Sequence, residues 1–259
     1  MPTIDHRRLR HIIDVIAVLV SRDQKSRYRS TAMGIVWAVA SPLLFLLIFY
    51  FLFAVVLPLG IANYASYVLV GVVAWTWLQT GVNDAVNSIP WNAGLVNQPR
   101  FPVAALPVVS VLSNFVTFLM TFPILLVLVW TGAAGPGLPY LALPLVMAAQ
   151  FLFVLALAYA VAALNVTFRD MRYIVPILLQ LGYFLTPIFY DLGMVSGGAR
   201  RILDLNPMLH IVGAYRAILV EGRWPDWGPI LAVLAGSAIL LALALRHFRA
   251  SSYRFLEEL

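Results

Sequence analysis

The sequence predicts an all-α polytopic membrane protein, and three observations carry that reading. Of 259 residues, 62% are hydrophobic and 11% charged, with a mean hydropathy of +0.91. An ordinary soluble domain is roughly 45–50% apolar and about 25% charged. So few charges cannot cover a water-facing globule, which excludes a soluble enzyme or a nucleic-acid-binding domain. The charges are also clustered, leaving residues 30–83, 101–168, 173–190 and 227–245 without one. Finally, there is no cysteine, so a disulfide framework, a thiolate zinc site and a cysteine nucleophile are all excluded.

A membrane-crossing helix needs about 20 apolar residues. The two long windows therefore each hold two helices and a turn, and the two short ones hold one helix each. Turn signals sit at Leu57-Pro58-Leu59-Gly60 with Asn63, and from Thr131-Gly132 through Gly135-Pro136-Gly137. Six spans result, at about 34–57, 66–84, 106–130, 139–163, 173–190 and 229–247, within one transmembrane domain covering 1–259. Short alternating segments, as in a β-barrel, are not present. Six spans put both termini on one side. That side, with the 85–105 and 164–172 loops, receives 13 of the 17 basic residues, so by the positive-inside rule both ends are cytoplasmic. The net charge of +6 follows from this topology and needs no nucleic acid.

Ahead of the first span, Leu9, Ile12, Ile13, Ile16, Leu19 and Val20 recur at helical spacing, opposite Arg10 and Asp14. The first 30 residues are charged throughout and do not read as a secretory signal peptide. They read as a cytoplasmic interface helix over 5–29, its apolar stripe in lipid and its basic residues near anionic headgroups. The mixed-charge run Arg22-Asp23-Gln24-Lys25-Ser26-Arg27-Tyr28-Arg29 exceeds what an anchor needs and suits docking to a cytoplasmic partner.

No motif handles a nucleotide. Lys25 is the only lysine and follows Gln24, so there is no phosphate-binding Gly-Lys-Ser/Thr loop. The four histidines are dispersed and lack metal-ligand spacing. Asn165-Val166-Thr167 matches a glycosylation acceptor, but it falls on the cytoplasmic side and reads as chance. No span carries an acid near its middle, which argues against a proton- or sodium-driven carrier. Energy for uphill transport must then come from another chain.

Residues 191–228 form a 38-residue extracytoplasmic connection, long for a helix–helix link. Within it Met208, Ile211, Val212, Tyr215, Ile218 and Leu219 make an apolar stripe too short to cross and too apolar for water. A re-entrant helical hairpin between spans 5 and 6 fits. Arg216 stands inside the stripe, where it either snorkels to the headgroups or meets an anionic group in the outer leaflet.

Several strings, in order, carry a resemblance. They are Arg22-Asp23 through Tyr28-Arg29, Met33-Gly34-Ile35-Val36-Trp37-Ala38, Ser41-Pro42-Leu43, and Asn92-Ala93-Gly94-Leu95-Val96 followed by Phe101-Pro102. In the second half come Arg169-Asp170, Thr186-Pro187-Ile188-Phe189-Tyr190, Leu205-Asn206-Pro207-Met208 and Tyr215-Arg216. Together, from about Arg22 to Pro225, the chain resembles the ABC-2 type permeases that export O antigen, capsule or teichoic acid. It departs where the family often has lysines: in Asn97-Gln98-Pro99-Arg100 only Arg100 is basic.

The resemblance implies a non-catalytic permease subunit of the bacterial cytoplasmic membrane, working as a homodimer with two ATP-binding subunits. Those subunits would bind ATP and Mg, and this chain would hold no cofactor. The cargo would be a lipid-linked polysaccharide, and a periplasmic or outer-membrane export partner is compatible with it. Contacts to the ATP-binding subunit would fall on Arg22, Asp23, Arg27, Arg29, Arg100, Phe101, Arg169 and Asp170. Sugar rings stack on aromatic faces, which makes Tyr50, Trp75, Trp77, Tyr183, Phe184 and Tyr190 candidates for a channel wall, against the alternative of an interfacial aromatic belt. Arg216 would grip the lipid diphosphate through paired hydrogen bonds. Two other readings remain open: an ABC-2 permease for a drug or lipid, and a membrane-embedded transferase. Asp84, Asp170 and Asp191 are too isolated to serve the latter.

Overall fold

The computed structural model of the chain describes residues 6–28, 63–99, 101–131 and 135–251, with six isolated positions between 40 and 56. Apart from those six positions, the first expected span, 34–57, lies outside the described residues. All described elements are helical. In chain order they are α1 (His6–Tyr28), α2 (Tyr64–Val86), the short α3 (Ala93–Val96), α4 (Ala105–Trp130), α5 (Leu143–Thr167), α6 (Met171–Leu185), α7 (Gly197–Asp204), α8 (Pro207–Leu219) and α9 (Trp227–Ser251). Single 3-10 turns at Pro90–Asn92, Leu138–Ala142 and Leu192–Met194 precede α3, α5 and α7.

Four helical stretches are long and apolar enough to cross a membrane: Tyr64–Val86, Ala105–Trp130, Leu138–Thr167 and Trp227–Ser251. These match the expected spans at 66–84, 106–130, 139–163 and 229–247 to within a few residues. Where a span was expected at 173–190 there stands a shorter apolar helix. α6 has 15 residues and stops at Leu185, because Pro187 disfavours helical backbone at the residue before it. Thr186 is accordingly extended, at φ −85° and ψ 132°.

Helix starts follow local chemistry. α2 begins after Asn63, held in the left-handed region at φ 52°, a conformation asparagine tolerates better than most residues. α8 begins with Pro207 in its first turn, and the Asn206 side chain accepts a hydrogen bond from the Met208 N–H at 3.0 Å.

α2 is the most enclosed of the four long helices and α9 the least. The main core gathers around α2, which packs on α4, α5, α6 and α8, while α9 packs chiefly on α5. A second core lies at the end bearing α1, where Leu19 meets Ile89, Val96, Leu106, Tyr159, Val166 and Phe248. The expectation that the whole α1 stripe lies in lipid therefore gives way at Leu19, which is buried in protein. Ile13 and Val18 stay exposed. α8 is buried along nearly its full length, Arg216 included.

Candidate functional site

Two regions collect the residues singled out in the sequence, one at each end of the bundle. At the basic end, α1 is bolted to the helices beneath it. Arg27 donates from Nη2 to Asp84 Oδ2 at 2.5 Å, from Nε to Asp23 Oδ2 at 2.8 Å, and from Nη1 to Asn114 Oδ1 at 3.3 Å. Asn114 Nδ2 donates to the same Asp84 oxygen at 2.7 Å. Gln24 Nε2 reaches the Ser113 carbonyl, and Arg22 Nη2 donates to Asn92 Oδ1 at 3.0 Å. Burial opposes the charge on Arg27, yet Asp84 and then Asp23 outweigh it and hold the guanidinium pKa above its ordinary value. The carboxylates therefore keep a cation fixed where three helices meet.

This arrangement redistributes the expected contact set. Arg22, Asp23 and Arg27 spend donors and acceptors inside the protein, while Arg169 and Asp170 sit exposed on the loop ahead of α6. Phe101 packs partly buried against the second core. Arg29 and Arg100 lie outside the described residues. Asp84 and Asn114 were not singled out for this role. The available signal was that Asp84 closes a charge-free window of 54 residues, and an acid at a span's end needs a nearby cation.

At the opposite end, Arg216 is 4% exposed. It donates from Nε to the Tyr67 carbonyl at 3.0 Å, from Nη1 to Pro187 O at 2.7 Å, and from Nη2 to Ile188 O at 2.8 Å. Its guanidinium carbon stands 3.3 Å from the Tyr67 ring centroid, a cation–π contact. The neighbouring carbonyls are also taken: Tyr64 Oη donates to Phe189 O and Tyr67 Oη to Tyr190 O. Four consecutive carbonyls, from Pro187 to Tyr190, thus accept from side chains of α2 and α8. The expectation of an outer-leaflet anion contact gives way to a buried clamp on backbone, because these carbonyls have no helical partners. Gly71 permits the approach, since a Cβ there would stand 3.1 Å from Arg216 Nη2 and from Ile188 Cγ2.

The aromatic candidates divide. Trp77 is 2% exposed and stacks on Phe118 with centroids 4.8 Å apart, beside Phe115 at 4.9 Å. The expectation that it lines a channel gives way to a place in the core that joins α2 to α4 and α5. Trp75 is also buried, facing Tyr183 at 5.8 Å. Tyr183 in turn meets Phe184 and Phe189 at 5.5 and 5.2 Å. Phe184 is exposed, with Tyr173, Ile177 and Leu181 on the same face of α6, and Tyr190 is half-buried. Tyr50 lies outside the described residues.

A bundle of long apolar helices with a basic, internally braced end is the architecture of a polytopic membrane protein. The chain belongs to the ABC-2 type transporter family, whose pattern matches residues 14–220. It is similar to the O-antigen export system permease protein RfbA of Myxococcus xanthus, 35% identical over 98% of both chains. A namesake from Klebsiella pneumoniae is 29% identical over 96% of both. The polysialic acid transport protein KpsM of Escherichia coli is 24% identical over 80% of this chain and 81% of its own.

Proposed function

We propose that the chain is the transmembrane subunit of an ATP-driven exporter carrying a lipid-linked surface polysaccharide across the bacterial inner membrane. The observation that carries this reading is end-to-end similarity to permeases named for O-antigen export. A homodimer of this chain would work with two ATP-binding subunits. The clustering of basic residues around α1 and the two loops supports a cytoplasmic position for that end and for both termini. α6 and the first expected span complete a six-span topology in this reading, with α7 and α8 re-entering from the outer face.

In this reading nucleotide-driven movement of the partner reaches the loops at 85–105 and 164–172. The Arg27–Asp84–Asn114 cluster passes it on, since α1, α2 and α4 cannot shift separately without breaking charge-assisted hydrogen bonds. The exposed apolar face of α6 is available to a second copy and to the polymer path. Tyr183, Phe184 and Tyr190 are the accessible aromatics on that side and offer faces over which sugar rings can slide.

Co-expression with an ATP-binding subunit tests the proposal. The pair should copurify, hydrolyse ATP and restore surface polysaccharide in an export-deficient host, and this chain alone should hydrolyse none. Robust ATP hydrolysis by the chain alone, or restored export without a partner, would overturn it.

A further inference from the structure

A groove of about 380 Å³ runs along the half of α9 that lies away from the basic end. Its floor is one face of that helix, from Pro229 through Ala232 and Gly236 to Leu240. Phe153 of α5 walls it, and the junction of α7 and α8 heads it with Asp204, Leu205 and His210. The groove opens outward, since Ala232 and Gly236 are exposed. A Cβ built on Gly236 would meet nothing within 4 Å.

Size and depth select the occupant. From Pro229 to Leu240 the helix rises about 17 Å, and over that length the volume leaves a slot about 5 Å across. A helix with its side chains is about 10–12 Å across and cannot enter; a single hydrocarbon chain can. Phe248 packs edge-on against Tyr159, with centroids 5.4 Å apart, in the second core beside Leu19 of α1. With α1 at the inner membrane surface, as proposed, Leu240 stands about 12 Å and Pro229 about 29 Å above that level. The hydrocarbon core is about 30 Å thick, so the groove spans the outer leaflet from the midplane to the headgroups.

The mouth of the groove carries acceptors. One carboxylate oxygen of Asp204 takes Arg200 Nε at 3.2 Å, and the other takes no donor among the described residues. His210 Nε2 donates to the Asp204 carbonyl at 2.7 Å, which leaves Nδ1 of the neutral ring as an acceptor. Arg201, exposed one turn earlier on α7, forms no ion pair among the described residues. Acceptors beside an exposed cation match a zwitterion whose ammonium can donate N–H, whereas a purely anionic head would face the Asp204 carboxylate. We infer that the groove holds one acyl chain of an outer-leaflet ethanolamine phospholipid, with its ammonium on Asp204 and His210 and its phosphate on Arg201. The assignment rests on the proposed function only for which side of the membrane this end faces.

The test uses the full-length chain in nanodiscs doped with phosphatidylethanolamine or phosphatidylglycerol, each carrying a diazirine in one acyl chain. Phosphatidylethanolamine should label residues between Ala232 and Leu240 saturably, about threefold more than phosphatidylglycerol at equal mole fraction. Gly236→Leu fills the slot and should abolish the saturable label with thermal stability unchanged. Asp204→Asn, at an exposed position, should keep the label and erase the preference between the two lipids. Label that rises without saturating, equal label from both lipids on the native chain, label that survives Gly236→Leu, or crosslinks to a second copy of the chain would each overturn the site. Export and ATP hydrolysis play no part in the readout, so their failure would overturn the proposed function while leaving the lipid site standing.

Discussion

Arg27 on the surface helix and Asp84 at the end of α2 meet at 2.5 Å across 57 positions of sequence, and Asn114 of α4 shares the same carboxylate oxygen. One acid therefore holds three helices at a common point. Both side chains of the pair keep about 30% of their exposure, so their attraction is partly screened.

Asp84→Ala should consequently cost about 1 kcal/mol of stability, a modest amount. Its larger effect should be on coupling, with α1 released from α2. A double-mutant cycle with Arg27→Ala, followed by denaturant titration in micelles, should return a coupling energy of about 1 kcal/mol. ATP hydrolysis by the complex should persist while export per ATP falls. Additive single effects would remove the pair from the coupling path.

Gly182 faces the Trp75 ring, and a Cβ there would lie 3.0 Å from Cη2 of the indole. The indole is buried and cannot swing away freely, so Gly182→Ala should destabilise by about 1–3 kcal/mol through overpacking. Pairing it with Trp75→Phe should recover part of the loss. Thermal unfolding of the three variants reads this out, and an unaffected Gly182→Ala would show that α6 can move off α2 at little cost.

Trp77 and Phe184 should behave oppositely. Trp77→Ala empties a buried stack and should cost about 3–5 kcal/mol, seen as lost folded protein. Phe184→Ala removes an exposed ring and should leave folding intact while changing export. Loss of export per folded molecule, measured as surface polysaccharide, separates the two. A stable Trp77→Ala would contradict its core assignment.

Arg216→Lys should lower thermal stability even though charge and length are roughly kept. A single ammonium cannot reach the carbonyls of Tyr67, Pro187 and Ile188 with the spread of a planar guanidinium. A Lys variant as stable as the native protein would favour a merely snorkelling side chain.

Much of this architecture was legible because the bilayer imposes a length on apolar runs. Tyr64–Val86, Ala105–Trp130, Leu138–Thr167 and Trp227–Ser251 could be bounded to within a few residues from charge gaps, the turn signals between them and the length a span needs. The connections among side chains were less accessible. Asp84, Asn114 and Arg27 are far apart in sequence, and only packing brings them together. Arg216 was visible as an anomaly in an apolar stripe, but sequence offered water and anions as partners, whereas the satisfied acceptors are peptide carbonyls with no residue-type signature. Trp77 and Phe184 look alike as aromatics near apolar runs. Only the neighbouring Phe115 and Phe118 rings show that the first belongs to the interior.

The row of carbonyls from Pro187 to Tyr190 has a consequence for how the membrane is crossed. α6 is about 22 Å long at its 15 residues, short of a hydrocarbon core of about 30 Å. With α6 crossing the bilayer as proposed, the remaining depth is covered by non-helical chain, where water is scarce and bare carbonyls are costly. Arg216, Tyr64 and Tyr67 supply the donors that another helical turn would have provided. The outer end of this span is thus finished by side chains borrowed from two other helices. Its length is set by neighbours, and a displacement of α8 changes where the span ends.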